Sequence, residues 1–165
     1  MKRKTFDELY QTYVHDIFRY LLALCHDYYL AQDLMNETFY RAFIFLEDCE
    51  DKVKPWLYKV AYNAFVDYKR KNSRILIKEK SFFERLREKE TIEEIVVIKE
   101  QLQEIDYMIE NLPENQKQAI LLYDYQGFQY KEAAEIMHVS IGHFKILLFR
   151  ARQKIRGQRG GLENE

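Results

Sequence analysis

Apolar residues recur at intervals of three and four along most of the chain, and this spacing constrains the fold more than any other feature. In FDELYQTYVHDIFRYLLAL, Phe6, Leu9, Tyr13, Ile17, Phe18, Leu21 and Leu24 share one helical face. In YYLAQDLMNETFYRAFIFL the stripe is Ala31, Leu34, Met35, Ala42, Phe45 and Leu46, with Asp27 placed to cap the helix. PWLYKVAYNAFVDYKRK begins with Pro55, which suits a first helical turn. Its inner side takes Trp56, Leu57, Val60, Ala61, Ala64, Phe65 and Tyr68. Helical patterns resume in IEEIVVIKEQLQEIDYMIENL, ended by Pro113, in NQKQAILLYDYQ, stopped near Gly127, and in QYKEAAEIMH. No segment alternates as a strand would and no internal repeat is visible. With only 5 Gly and 2 Pro in 165 residues, the expectation is an all-α chain of roughly seven to eight helices.

A hydrophobic content of 47% is enough to bury a core. No apolar run reaches the roughly 20 residues that span a bilayer, so no membrane insertion is expected. The basic start MKRKTFDELY is not followed by an apolar signal segment, which makes a cytoplasmic protein the default. Cys25 and Cys49 lie in no metal-ligand pattern, and His15, His26, His138 and His143 fit no metal or triad spacing. No metal, cofactor, catalytic residue or small-molecule substrate is therefore expected.

The formal net charge of -1 hides strong segregation. Asp27 to Asp51 holds seven acids against Arg41 alone, whereas Lys54 to Arg74 holds six bases against Asp67. Glu84 to Glu114 has ten acids and four bases, and Ile141 to Arg159 has six bases and no acid. Because charges are screened beyond about 8 Å at physiological salt, each block can act locally on its own partner.

YKEAAEIMHVSIGHFKILLFRAR has the spacing of a helix-turn-helix. Ala133 and Ala134 allow close crossing, Ile136 and Met137 end the first helix on its buried side, and Val139 plugs the turn. His138 stands where many such turns carry Gly, and His accepts a positive φ more readily than most residues. Ser140 is a good N-cap for a last helix whose seam is Phe144, Leu148, Ala151 and Ile155. The outward face then holds Gly142, Lys145, Ile146, Phe149, Arg150 and Gln153. Lys145 and Arg150 suit phosphates or guanine edges, while Ile146 and Phe149 suit thymine methyl groups. A helical bundle with a merely solvated basic rim is the plainer alternative.

In LAQDLMNETFYRAF, Asp33, Glu37, Tyr40 and Arg41 share the face opposite the stripe, which is either an ordinary exposed face with a Glu37–Arg41 pair or a docking surface. This segment, then KPWLYKVAYNAFVDYKRK, then NLPENQKQAILLYDYQGFQYKEAAEIMHVSIGHFKILLFRARQKI together resemble a bacterial RNA polymerase sigma factor. The resemblance is to the compact extracytoplasmic-function (ECF) group of the sigma-70 family and covers roughly residues 5–72 and 95–156. It implies two small helical domains: a sigma-two bundle over 1–72 and a sigma-four helix-turn-helix domain over 95–165, joined by a charged linker over 73–94.

The implied function is binding to core RNA polymerase and promoter-specific initiation through −35 and −10 elements. The helix carrying Asp33, Asn36, Glu37, Phe39, Tyr40 and Arg41 would dock on the β′ clamp helices. The loop Asp48 to Lys54 would hold a flipped base, and Trp56 to Lys71 would meet the −10 region. There Lys52, Lys54, Lys59, Lys69 and Arg70 suit phosphates. Trp56 and Tyr62 either support unstacked bases or belong to the core, and Asn63 either bonds DNA or caps a neighbour. Ser140, Gly142, His143, Lys145, Ile146, Phe149 and Arg150 would face −35 DNA, and the helices around Asn115 to Tyr130 would lean on the β flap. The family usually shows Ser-x-Gly-Thr-Val-Lys-Ser-Arg at this helix start. Here His143, Ile146 and Leu147 replace the Thr, the second Ser and the Arg. An anti-sigma factor is a further expected partner. The competing expectation is a stand-alone helix-turn-helix regulator that binds as a dimer.

Overall fold

A computed structural model describes residues 5–49, 52–72, 109 and 111–163. The charged segment 73–94 and nearly all of the long helical pattern before Pro113 lie outside the described residues. Among the described residues the chain is helical throughout, with no strand.

Helix α1 spans Phe6–Cys25. Thr5 and Glu8 cap it reciprocally: the Glu8 amide donates to Thr5 Oγ1 and the Thr5 amide to Glu8 Oε2, both at 3.3 Å. It ends at His26, which adopts a left-handed φ of 53°. Asp27 immediately starts α2 (Tyr28–Phe45), its carboxylate accepting from the Tyr29 and Leu30 amides at 3.1 and 3.2 Å. A short turn, Leu46–Asp48, leads toward α3 (Val53–Asn72). The helix starts two residues before Pro55, which still lies in the first turn, where no intrahelical N–H donor is needed. Lys69, Arg70 and Lys71 occupy the last turn, where the helix dipole favours positive charge.

Among the described residues, the next complete helix is α4 (Glu114–Ile120), which runs on as a π-helical turn over Leu121–Tyr125 and stops before Gly127 at φ +75°. Helix α5 (Tyr130–Met137) follows, then the turn at His138, φ 57°, and then α6 (Ile141–Glu163). His138 thus takes the left-handed conformation that Gly supplies elsewhere.

Helices α1, α2 and α3 pack together, as do α4, α5 and α6, and α3 also packs along α5. The buried side chains of both units join one apolar core. Leu9, Ile17, Leu21, Leu57, Ala61 and Phe65 fill the first part, and Leu122, Ala133, Ile136, Phe144, Leu148 and Ala151 the second. Tyr58, fully buried, lies between them, with the Phe128 ring 5.1 Å away on one side and Tyr20 5.0 Å away on the other.

Candidate nucleic-acid and protein interfaces

The outward face of α6 is built by subtraction. Phe144, Leu147, Leu148 and Ala151 are buried, so the remaining positions must face solvent. Ser140, Gly142, His143, Lys145, Ile146, Phe149, Arg150 and Gln153 are all exposed. The Ser140 hydroxyl accepts from the His143 amide at 3.1 Å, which fixes the helix start. Ile146 and Phe149 are 49% and 59% exposed and set apolar area beside Lys145 and Arg150. A Cβ at Gly142 would meet nothing within 4 Å, so packing inside the chain does not demand glycine there. Leu147, at the position where an Arg is usual, turns into the core and widens the seam. Arg152 is held by Asp124 at 2.7 Å and lies 5.4 Å from the Tyr123 ring centroid. That Asp124 bond raises the guanidinium pKa.

On α2 the register differs from the sequence expectation at two aromatics. Phe39, expected on the docking face, is 3% exposed, packed edge-on against Phe6 and Tyr10. Phe45, expected inside, is 52% exposed at the helix end. The buried stripe is Ala31, Leu34, Thr38 and Ala42; Thr38 joins it because its hydroxyl donates to the Leu34 carbonyl at 2.7 Å. Asp33, Asn36, Glu37 and Tyr40 do share an exposed face. Arg41 is tied down, to Glu37 at 2.9 Å and to Asp67 on α3 at 3.0 Å. The sequence reading missed Phe43 and Ile44, 64% and 50% exposed, which extend this face with apolar area. The signal was an apolar run, Phe43 to Leu46, too continuous to lie on one side of a helix.

The −10 candidates on and before α3 are brought against the second unit. Lys52 lies 3.8 Å from Glu132, and Lys69 pairs with Glu114. Lys54 donates to the Gln126 carbonyl at 3.2 Å and sits 5.1 Å from the Phe128 ring. Asn63 Oδ1 is 2.7 Å from His138 Nε2, and the Tyr62 ring lies 6.0 Å from that of His138. Trp56 and Lys59 line a cavity of about 450 Å³ with Asp48, Cys49 and Lys52, faced by Gln129, Glu132, Glu135 and Ile136 of the second unit. Arg70 pairs with Asp67 at 3.2 Å. In the stretch expected to meet the β flap, Gln116 to Leu122 are buried, leaving Asn115, Asp124, Tyr125, Gly127 and Gln129 exposed.

A helix-turn-helix with a basic outward face, joined to a three-helix bundle with an acidic and aromatic outward face, defines a transcription factor that works between DNA and a protein partner. The family description Sigma-70 region 2 matches residues 9–75, and Sigma-70, region 4 matches residues 102–155. The chain is 43% identical over 157 residues to the ECF RNA polymerase sigma factor SigM of Bacillus subtilis, covering 92% of this chain and 93% of that one. It is 27% identical to the RNA polymerase sigma-H factor of Pseudomonas aeruginosa over 93% of this chain and 85% of that one. Among solved structures, the sigma factor RpoE of Bartonella quintana in complex with the anti-sigma factor NepR has a TM-score of 0.69 at 20% identity, covering 92% and 94% of the two chains. CnrH in complex with the cytosolic domain of CnrY has a TM-score of 0.65 at 16% identity, covering 94% and 88%. These two show a shared fold.

The chain belongs to the sigma-70 family of RNA polymerase sigma factors, in its ECF group. It binds core RNA polymerase and directs promoter-specific transcription initiation, and the presence of both regions favours this over a stand-alone dimeric regulator. Its relatives are transcription factors rather than catalysts. Among the described residues no helix is long and apolar enough to cross a membrane.

Proposed function

We propose that three surfaces divide the work of this sigma factor. The exposed face of α2, with Asp33, Asn36, Glu37 and Tyr40 extended by Phe43 and Ile44, docks on the β′ clamp helices. Phe39 and Arg41 shape that face from beneath, by packing and by the tie to α3. Lys52, Lys54, Trp56, Lys59, Tyr62, Asn63, Lys69 and Arg70 meet the −10 region, and the segment before α3 receives an unstacked base. Ser140, Gly142, His143, Lys145, Ile146, Phe149 and Arg150 enter the −35 major groove. Residues 1–72 and 95–165 are the functional domains, and 73–94 tethers them.

The observation that carries this reading is the face of α6. It keeps Ile146 and Phe149 in solvent between Lys145 and Arg150, an arrangement that only a partner with both apolar and anionic surface rewards. We place the protein in the cytoplasm, with no catalysis of its own, and its regulator is an anti-sigma factor, as NepR is the partner of RpoE in the solved complex. In vitro transcription over genomic fragments with core polymerase tests the reading. Start sites should map to a shared −35/−10 pattern, and loss of all specific transcripts would refute it.

A further inference from the structure

Two of the cations on α6 rest on aromatic rings. Lys145 Nζ lies 5.2 Å from the centroid of the Tyr130 ring, and Arg152 Cζ lies 5.4 Å from that of Tyr123. Their sequence spacing puts them two turns apart on one side of the helix. The two rings form a single platform. Tyr123 and Tyr130 stack with centroids 4.6 Å apart and planes 8° from parallel. Hydrogen bonding to Tyr130 raises the Tyr123 phenol above its ordinary 10.0. The buried Phe144 ring meets Tyr130 edge-on at 6.2 Å and joins the platform to the inward seam of α6. Tyr130 opens α5 and Tyr123 comes from the π-helical turn, so the platform ties the start of the helix-turn-helix to the turn before it.

The two cations are treated differently. Arg152 is paired with Asp124 at 2.7 Å, whereas among the described residues no carboxylate forms an ion pair with Lys145. A carboxylate in that place would neutralise the ammonium and compete with DNA for it. An aromatic ring attracts the cation through its quadrupole and leaves the full charge in place. An ammonium carries three donors, so the ring can hold one side while the other stays open to an acceptor. A lysine side chain gives up rotamer freedom when it binds, and one already resting on a ring has less to give up. Arg152 is thus suited to anchoring α6, and Lys145 to meeting a polyanion.

We propose that Tyr130, stacked on Tyr123, is a positioning residue for −35 recognition, whose ring holds the Lys145 ammonium in place, still fully charged, for a DNA phosphate. The inference rests on the reading of α6 as the −35 helix. Tyr130 acts through Lys145, so its contribution exists only while Lys145 carries its charge. The Tyr130 ring face is the working part, and the hydroxyl serves the stack with Tyr123.

The test is a double-mutant cycle with core polymerase and the full chain, on duplexes carrying a mapped promoter. Lys145→Gln should lower affinity and cut the slope of log K against log[salt] by about one. Tyr130→Leu should lower affinity about twofold to fivefold, and Tyr130→Phe, which keeps the ring, should restore it. In the Lys145→Gln background, Tyr130→Leu should cost nothing further. Proton NMR of the free chain gives a second reading. The ring current should move the Lys145 ε-methylene signals upfield in the unaltered chain and in Tyr130→Phe, and Tyr130→Leu should return them to the ordinary lysine position. Circular dichroism melts check folding, and if Tyr130→Leu does not fold, the signals of the unaltered chain still decide. Unshifted signals there, an equal loss from Tyr130→Leu in both backgrounds, no loss in either, a Phe variant as weak as the Leu variant, or no effect of Lys145→Gln would each overturn the platform inference alone. An unaltered holoenzyme indifferent to replacement of its −35 sequence would overturn the reading of α6 and this inference with it.

Discussion

Ile146 offers the sharpest test of how the last helix reads DNA. Its side chain is 49% exposed, so about half of its apolar surface is available to a partner. Fully burying an Ile is worth about 1.5–3 kcal/mol, and covering the exposed half is therefore worth about 1 kcal/mol, or roughly a fivefold preference. Under the proposed reading the partner is a thymine methyl group in the −35 major groove. Replacing single thymines by uracil in a mapped −35 element removes only that methyl. For the unaltered chain with core polymerase, one such replacement should lower initiation about fivefold in a competition assay. Ile146→Ser should lower initiation on the natural site by a similar factor and should erase the thymine–uracil difference. Binding to core polymerase should not change, because the site is far from the α2 face, and stability should shift by no more than about 0.5 kcal/mol. If every −35 thymine can be replaced by uracil without a differential effect between Ile146 and Ser, the apolar contact does not exist.

Three further outcomes follow from burial and charge. Leu147→Ala should destabilise the second unit by about 2–5 kcal/mol in urea titrations, because the side chain is 3% exposed, yet should leave thymine preference at folded-state temperatures intact. Tyr40→Ala with Ile44→Ser should weaken core polymerase binding on the order of tenfold while moving the melting midpoint little, since both side chains are at least half exposed. Burial raises the Tyr20 and Tyr58 phenols above their ordinary 10.0 and pushes the Cys25 thiol from 9.0 up to about 12. The folded state then holds protons that the unfolded chain releases, so stability is intact below pH 9 and falls above it. The slope should approach about 1.4 kcal/mol per pH unit for each group that is out of step. Urea midpoints that stay constant between pH 9 and pH 11 would refute this, and Tyr20→Phe should flatten the fall.

The helices and the helix-turn-helix were legible because their signals are local. Asp27 and Ser140 cap as their residue types suggest, and His138 takes the positive φ that its place in the turn demands. The register of α2 was not legible. Thr38 is polar by composition and buried in fact, because its hydroxyl is satisfied by the Leu34 carbonyl one turn back. With Thr38 inside, Phe39 follows it inward under the Phe6 and Tyr10 rings, and Phe45 is left outside. A hydropathy stripe treats Thr as solvated and so shifts the face. Leu147, which the sequence pattern assigned to neither face, is buried because a seam of spacing three and four leaves room for one more inward row.

The contact between the units lies beyond any periodicity argument, because its two sides are 45 to 98 residues apart in the pairs Lys69–Glu114 and Tyr20–Gln118. Tyr58 and Gln118 are buried only because Phe128, Gln126 and Tyr20 arrive from the other unit. The segregated charges did foreshadow it. Glu114 comes from an acidic block and Lys69 from a basic one, and they meet in space. Yet Lys69 and Glu114 are 48% and 42% exposed, and Lys52 is 73% exposed, so these pairs contribute at most about 1 kcal/mol each. The buried Tyr58–Phe128 packing and the Tyr20–Gln118 bond must supply most of the hold, with the charges setting which faces meet. The apolar part of the contact is thus the strong one, and the ionic part, open to water, is the weak one.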